Sequence, residues 1–174
     1  MASNWALPSI VIQYPETGFE SNHVAWDENR QFSAIKTKDG THVKTIRDLL
    51  HIARDPKHDI LEKTYFLKLT NFNFVNLPNI LSGIEVKLTM NRFGRITDDV
   101  IQLTHNNDLI GENKADLILD PIKIYGGDND LWSSNLSIQD ISENSFGISL
   151  RFESHPKWPH KSSAFIDCVE IRIY

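Results

Sequence analysis

The sequence predicts an all-β protein: one antiparallel β-sandwich, jelly-roll-like, spanning residues 1–174. Three observations carry that expectation. Short apolar runs separated by turn residues follow one another from Tyr65 to Tyr174, the spacing typical of sandwiches. Within the runs the hydrophobic period is two. Ile84, Val86, Leu88 and Met90 point one way, and Glu85, Lys87, Thr89 and Asn91 the other, as in a half-buried antiparallel strand. Gly126-Gly127-Asp128-Asn129-Asp130 and similar clusters fall between runs, where turns need them.

Each element has its own reason. Ser9-Ile-Val-Ile-Gln-Tyr14 is a β-branched first strand, with Pro15 directly after it marking an edge position. Its six residues carry no charge, so an exposed edge here, centred on Val11, needs a partner. Residues 1–8 precede any core position yet contain Trp5 and Leu7, which predicts a docking arm that orders on a neighbour. Phe32-Ser-Ala-Ile35 reads as a short strand, and Lys38-Asp-Gly40 as a turn.

Residues 45–54 are the one helix candidate. Ile46, Leu49, Leu50 and Ala53 recur at i, i+3, i+4 and i+7 behind a Thr45/Asp48 capping pair, and Asp55-Pro56 would end the turn. A strand over Val43–Leu50 fits the same residues. Tyr65–Phe74 is a strand covered on both faces, Arg92-Phe-Gly-Arg95 turns the chain, and Val100–His105 forms a partner strand ended by Asn106-Asn-Asp108. Ile148, Leu150 and Phe152 alternate with Ser149 and Arg151. In the last strand Val169, Ile171 and Ile173 share a face, whereas Ile166 and Cys168 have the other parity. A bulge or two-sided burial near Cys168 reconciles them.

Composition narrows the function. The formal net charge is -5. The densest basic group, Lys36, Lys38, Lys44 and Arg47, is broken by Asp39 and Asp48, so a nucleic-acid footprint is not expected. Cys168 is the sole cysteine, which leaves stability to the core, and its apolar strand predicts a buried, inert thiol. The first residues lack the basic and apolar regions of a secretory signal, and no run approaches the roughly 20 apolar residues that cross a bilayer. Synthesis in a cytoplasm and no membrane partner are the expectations.

No constellation reads as catalytic. The Gly126-Gly127 loop lacks the EF-hand pattern, with Ser133 and Gln139 where glycine and glutamate belong, so it reads as a turn. His155 and His160 flank a proline-rich loop that gives them no common register for zinc. Asp98 and Asp99 are adjacent on a strand and face opposite ways, so they cannot flank one bond. Nucleophile-elbow, His-Glu-x-x-His and phosphate-loop motifs are missing. The expectation is no catalytic residue, no cofactor and no metal. Trp132 reads as a core or rim anchor, and Trp158, between prolines, as a loop tip that docks outward or packs inward.

One ordered set of motifs remains. Asn71-Phe72 leads through Leu77-Pro78 to Gly83-Ile84-Glu85-Val86. Then come Ile110-Gly111-Glu112-Asn113-Lys114-Ala115, Tyr125-Gly126-Gly127, Asp130-Leu131-Trp132 and Phe146-Gly147, and Phe165-Ile166-Asp167 opens the final strand. This set resembles the antiparallel β-sandwich module of tailed-bacteriophage virion proteins, over about Leu67 to Tyr174. Residues 45–63 look like an insertion against that pattern.

The resemblance implies a non-enzymatic virion protein, located on the particle. A capsid decoration or cement protein that binds the major capsid protein is the first expectation. A tail or neck appendage with a carbohydrate- or receptor-binding role, using Trp132 and Trp158 as platforms, is the alternative. The uncharged edge at Ser9–Tyr14 predicts a homo-oligomer, trimer or dimer.

Overall fold

A computed structural model describes residues 2–16, 23–27, 32–45, 47–49, 51–52, 60–117, 120–154 and 161–174. Two antiparallel sheets pack face to face. The first contains β1 (Pro8–Tyr14), β7 (Phe66–Phe72), β12 (Gly147–Ser154), β9 (Ile96–His105) and β10 (Asp108–Ile110), hydrogen-bonded in that order. β6 (Lys63–Thr64) also pairs with β12 and, in parallel, with β2 (His23–Val24). The second sheet runs β11 (Ile122–Gly127), β8 (Ile84–Phe93), β13 (Ser163–Ile173) and β3 (Val43–Lys44). From β7 onward the long strands alternate between sheets, β7, β9 and β12 in one and β8, β11 and β13 in the other, the wrapping of a jelly roll.

The core lies between the sheets. β7, β12 and β9 contribute Leu67, Leu69, Ile148, Leu150, Ile101 and Leu103. β8 and β13 contribute Ile84, Val86, Leu88, Met90, Val169 and Ile171, all fully or almost fully buried. Trp26, Trp132, Phe146 and Phe152 fill the ends of this layer. Trp26 and Phe152 meet edge to face at 6.0 Å.

Two bulges set which residues face inward. In β13 the register shifts between Ile166 and Cys168. Ile166 therefore joins Val169 and Ile171 in the core, while Cys168 pairs with Thr89 on the other face and is still fully buried. Both explanations of the mixed parity hold. Burial raises the Cys168 thiol pKa, which suits an inert side chain. The second bulge lies opposite Arg151/Phe152, where β9 spends Asp99 as an extra residue between Asp98 and Val100.

Several local expectations are corrected. Phe32–Lys36 is a 3-10 helix rather than a strand, because Ala34 and Ile35 turn together into the core. The helix over 45–54 is not formed where the chain is described. Thr45 bridges Trp26, Leu49 bridges Ser162, and β4 (His51–Ile52) pairs with β5 (Ile60–Leu61). The sole α-helix among the described residues, α1 (Ile138–Ser142), follows a capping box of Ser137 and Asp140. Val100–His105 does form a strand, but β9 partners β12 and β10, not the preceding β8, because Arg92–Arg95 carries the chain across to the other sheet.

The N-terminal segment is not a free arm. Ala6 and Ile171 exchange two backbone hydrogen bonds, of 2.8 and 2.9 Å. Ser3 donates its amide to the Ile173 carbonyl at 2.7 Å, and its hydroxyl accepts from the Ile173 amide at 2.9 Å. Ser3, Ala6 and Pro8 are buried. The segment thus extends the second sheet beside β13, satisfying backbone groups that an edge would leave open. Deleting residues 2–7 removes four such bonds at about 1 kcal/mol each. The isolated chain should lose on the order of 3–5 kcal/mol in denaturant melts. An unchanged midpoint would show that the pairing is not formed in solution.

Candidate functional site

The motif residues converge on one corner of the sandwich. Trp132 stands at the end of the β11 turn with no exposed surface, and its indole Nε1 donates to the Ile84 carbonyl at 2.9 Å. Its backbone is left-handed, φ +57°, a conformation that costs about 1–2 kcal/mol for a bulky residue. Asp130 holds it there. One carboxylate oxygen accepts from the Trp132 amide at 2.8 Å, and the other pairs with Lys114 at 2.8 Å. Burial alone would raise the Asp130 carboxyl, but Lys114 and the Trp132 amide bring it below the usual range.

Backbone packs too closely here for side chains. A Cβ on Gly126, itself at φ +82°, would lie 2.1 Å from the Ile84 carbonyl oxygen, and one on Gly111 would lie 2.2 Å from the Trp132 carbonyl oxygen. Asn113 then closes the edge of β9. Its side-chain oxygen accepts from the Ile101 amide at 2.9 Å while its amide group donates to the Asp99 carbonyl at 2.9 Å. Asn113 stands in for a strand where the sheet would otherwise end.

A second cluster lies between the sheets. The bulge at Asp99 turns Asp98 inward, where its carboxylate is fully enclosed. It accepts from Tyr125 Oη at 2.6 Å, from Lys123 Nζ at 3.2 Å and from an Arg92 guanidinium nitrogen at 3.3 Å. Lys123 also contacts Asp116. Burial and the Asp98 charge push the Tyr125 hydroxyl pKa far up, so it remains a donor. Lys123 and Tyr125 sit two apart on β11 and so share one face. A carboxylate with three donors is an internal tie between β9, β8 and β11.

The outward face of the first sheet differs at its two ends. Ile10 and Ile12 are 44% and 45% exposed, lying opposite Thr70 and Lys68. Beyond them Tyr14 stacks on Phe66 at 5.1 Å, and the Arg151 guanidinium lies 4.3 Å from the Phe66 ring centre. Arg151 reaches Glu16 at 2.5 Å and contacts Asp99. Asp99 also pairs with Lys63 at 2.9 Å, and Lys63 with Glu153 at 3.6 Å. Burial lowers the pKa of His23, at the rim of this network, and Arg151 adds to the effect. An apolar pair on an edge strand therefore adjoins a stack of rings and charges.

The residues expected to dock are placed differently. Val11 points into the core, so Ile10 and Ile12 are the outward residues of β1. Period two places them on the face opposite Val11. Trp132 is a structural plug and cannot stack on a ligand. Trp5 is half-buried on the outer face of the second sheet, with Lys87 Nζ 4.0 Å and the Arg172 guanidinium 4.4 Å from its ring centre. Leu7 is half-buried beside it. Trp158, His155 and His160 lie outside the described residues. The Gly126-Gly127 turn is conformational in the sense expected, since Gly126 requires its positive φ.

Sequence reading missed a third group. His105 ends β9, and its Nε2 lies 2.9 Å from Glu143 Oε2 just after α1. Asp140 completes a trio whose ligand atoms are within 4.8 Å of one another. Hydrogen bonds from the Ser137 hydroxyl and amide hold Asp140 below the usual carboxylate range. His105 and Glu143 are 38 residues apart in sequence, so no local spacing signals the pair.

Comparison with known proteins adds little. No family model matches the chain, and no curated protein does. A solved structure comes from work on endo-acting O-glycanases that prominent members of the human gut microbiota express to initiate mucin breakdown. It aligns over 97% of this chain and 94% of its own, at 13% identity and a TM-score of 0.36. A likeness at that score carries no argument. The class defined by the fold is an antiparallel β-sandwich with a glycine-pinned corner and exposed apolar side chains on two edge strands, Ile10 and Ile12 on β1 and Ile122 and Ile124 on β11.

Two measurements test the ionic clusters. Asp98→Ala leaves Lys123, Arg92 and Tyr125 facing a void, and breaking a buried pair on one side costs about 3–5 kcal/mol. A loss under about 1 kcal/mol would mean that water already enters this end. Glu153 differs in sign. Burial first, and then the Asp99 charge, raise its pKa above the usual 4.5. Wild-type stability from this group is thus complete below the unfolded pKa and is lost as pH rises through the folded one. Glu153→Gln should therefore match wild type near pH 4 and exceed it near pH 7, read from melting temperatures at the two pH values.

Proposed function

We propose that this chain is a non-enzymatic structural protein of a tailed-bacteriophage virion, a capsid decoration or cement protein that attaches through the outward face of β1. The observation that carries the reading is the use made of the shared motif residues. Gly111, Asn113, Lys114, Gly126, Asp130 and Trp132 are all spent on closing one corner of the fold. A module whose common residues are architectural is a scaffold, and a decoration protein needs a scaffold plus one adhesive face. The exposed Ile10 and Ile12 on an edge strand supply that face, with the major capsid protein or a second copy as its cover. Burial of Trp132 removes one platform from the carbohydrate-binding reading.

The test uses particles lacking the protein. The purified chain should bind them at high, fixed stoichiometry. Each isoleucine is a little under half exposed, so covering that exposed part is worth about 1 kcal/mol. A lysine buried in its place adds a desolvation cost, so Ile10→Lys or Ile12→Lys should lower occupancy by on the order of tenfold. Both side chains already face solvent in the isolated chain, so its melting temperature should barely move. Unchanged occupancy overturns the docking face. Binding in a few copies, together with capture of host cells or glycans by the chain alone, favours a tail or neck appendage instead.

A further inference from the structure

We propose that His105, Asp140 and Glu143 form a binding site for a zinc-class divalent ion, tying the end of β9 to α1. The trio joins two elements. His105 is the last residue of β9, before the Asn106-Asn107 turn into β10. Asp140 is the third residue of α1, and Glu143 its C-cap. A spacing of three places both carboxylates on one side of the turn.

The geometry is close to what an ion needs. Zinc holds nitrogen and oxygen ligands at about 2.0–2.2 Å, which puts neighbouring ligand atoms about 3.4 Å apart in a tetrahedron. Here His105 Nε2 and Glu143 Oε2 are 2.9 Å apart, and no pair in the trio exceeds 4.8 Å. The Glu143 side chain is half exposed, so it can adjust toward an ion.

The Asp140 carboxylate is also oriented from behind. Asp140 Oδ2 accepts from the Ser137 amide at 2.7 Å and from its hydroxyl at 2.6 Å, which fixes the direction of the other oxygen. Ligands of metal sites are commonly held this way. The Glu143 oxygen that faces His105, Oε2, itself accepts from the Ser145 hydroxyl at 3.2 Å, a bond that ion binding would share or displace. His105 and Asp140 also line an open cleft of about 440 Å3 with Ser133, Ser134 and Asn135, so water can reach the site to complete an ion's coordination.

The ligand set selects the ion. Calcium and magnesium favour oxygen alone, whereas an imidazole shifts preference to zinc and its neighbours. Two carboxylates balance the two charges of the ion. Binding would lock the β9–β10 hairpin to the segment that leads into β12.

The probe is zinc chloride alone, titrated into the intact chain by calorimetry. One equivalent should bind saturably and raise the melting temperature, as any ligand of the folded state does. His105→Ala and Glu143→Gln, which remove direct ligands, should each weaken binding by at least the roughly 10–100-fold typical of losing an outer-shell partner. Zinc-edge X-ray absorption on the wild-type chain reads the ligands without mutation. One imidazole with oxygen ligands supports the site. No saturable binding, equal binding by both variants, or a spectrum with sulfur or several imidazoles would overturn it.

Discussion

The indole of Trp132 is the constraint on which the sandwich closes. It must be buried, it carries one N–H that needs an acceptor, and the acceptor is the first carbonyl of β8. Meeting both demands pulls the β11 turn onto the start of β8. Gly126 and Gly111 are then needed because a Cβ on the first would run into the Ile84 carbonyl and the indole edge, and one on the second into the Trp132 carbonyl. Asp130 and Lys114 follow as the groups that hold a left-handed tryptophan in place. Each motif residue thus has a geometric reason, and the reasons are mutually dependent. Changing any one strands the others.

The Asp98 cluster works in the opposite way. At the Trp132 corner a buried ring is held by directed hydrogen bonds with its ion pair, Asp130–Lys114, at the rim, whereas Asp98 brings charge into the space between sheets. Buried ion pairs contribute little net stability, because desolvation offsets their attraction. Their effect is on register. The carboxylate reaches Tyr125, Lys123 and Arg92 together only if the β9 bulge, β11 and the end of β8 are all correctly aligned. A slip of one residue in any of the three would leave a charge unpaired.

Legibility followed the range of the interaction. Ile84–Met90 is readable because one face is buried and one is not; Ile148–Phe152 is readable because apolar residues alternate with Ser149 and Arg151, although both of its faces are buried. The bulge near Cys168 was readable for the same reason, as a break in parity. The segment over 45–54 misled because its apolar spacing imitates a helix. Leu49 is buried through a bridge to Ser162, a residue far along the chain. Helix α1 escaped notice because it is five residues long and carries its capping box without an apolar repeat. Val11 was placed on the right strand but the wrong face, since an uncharged run with Ile10, Val11 and Ile12 has no alternation to read. Which sheet a strand joins, and that Asp98 finds Lys123, depend on contacts across the sandwich that no local pattern encodes.

The pairing of Ser3 with Ile173 brings the two ends of the chain side by side. Because the two segments run antiparallel, pulling the ends apart would load these bonds one at a time. The Ser3–Ile173 contacts would yield first and the Ala6–Ile171 pair next, as a zip opens. The long ladder between β8 and β13 would not share the tension until that strip had peeled. Force entering across the faces of the sheets would instead load many bonds in parallel. As a mechanical element, the sandwich is weak when pulled by its ends and strong when pressed or sheared through its sides.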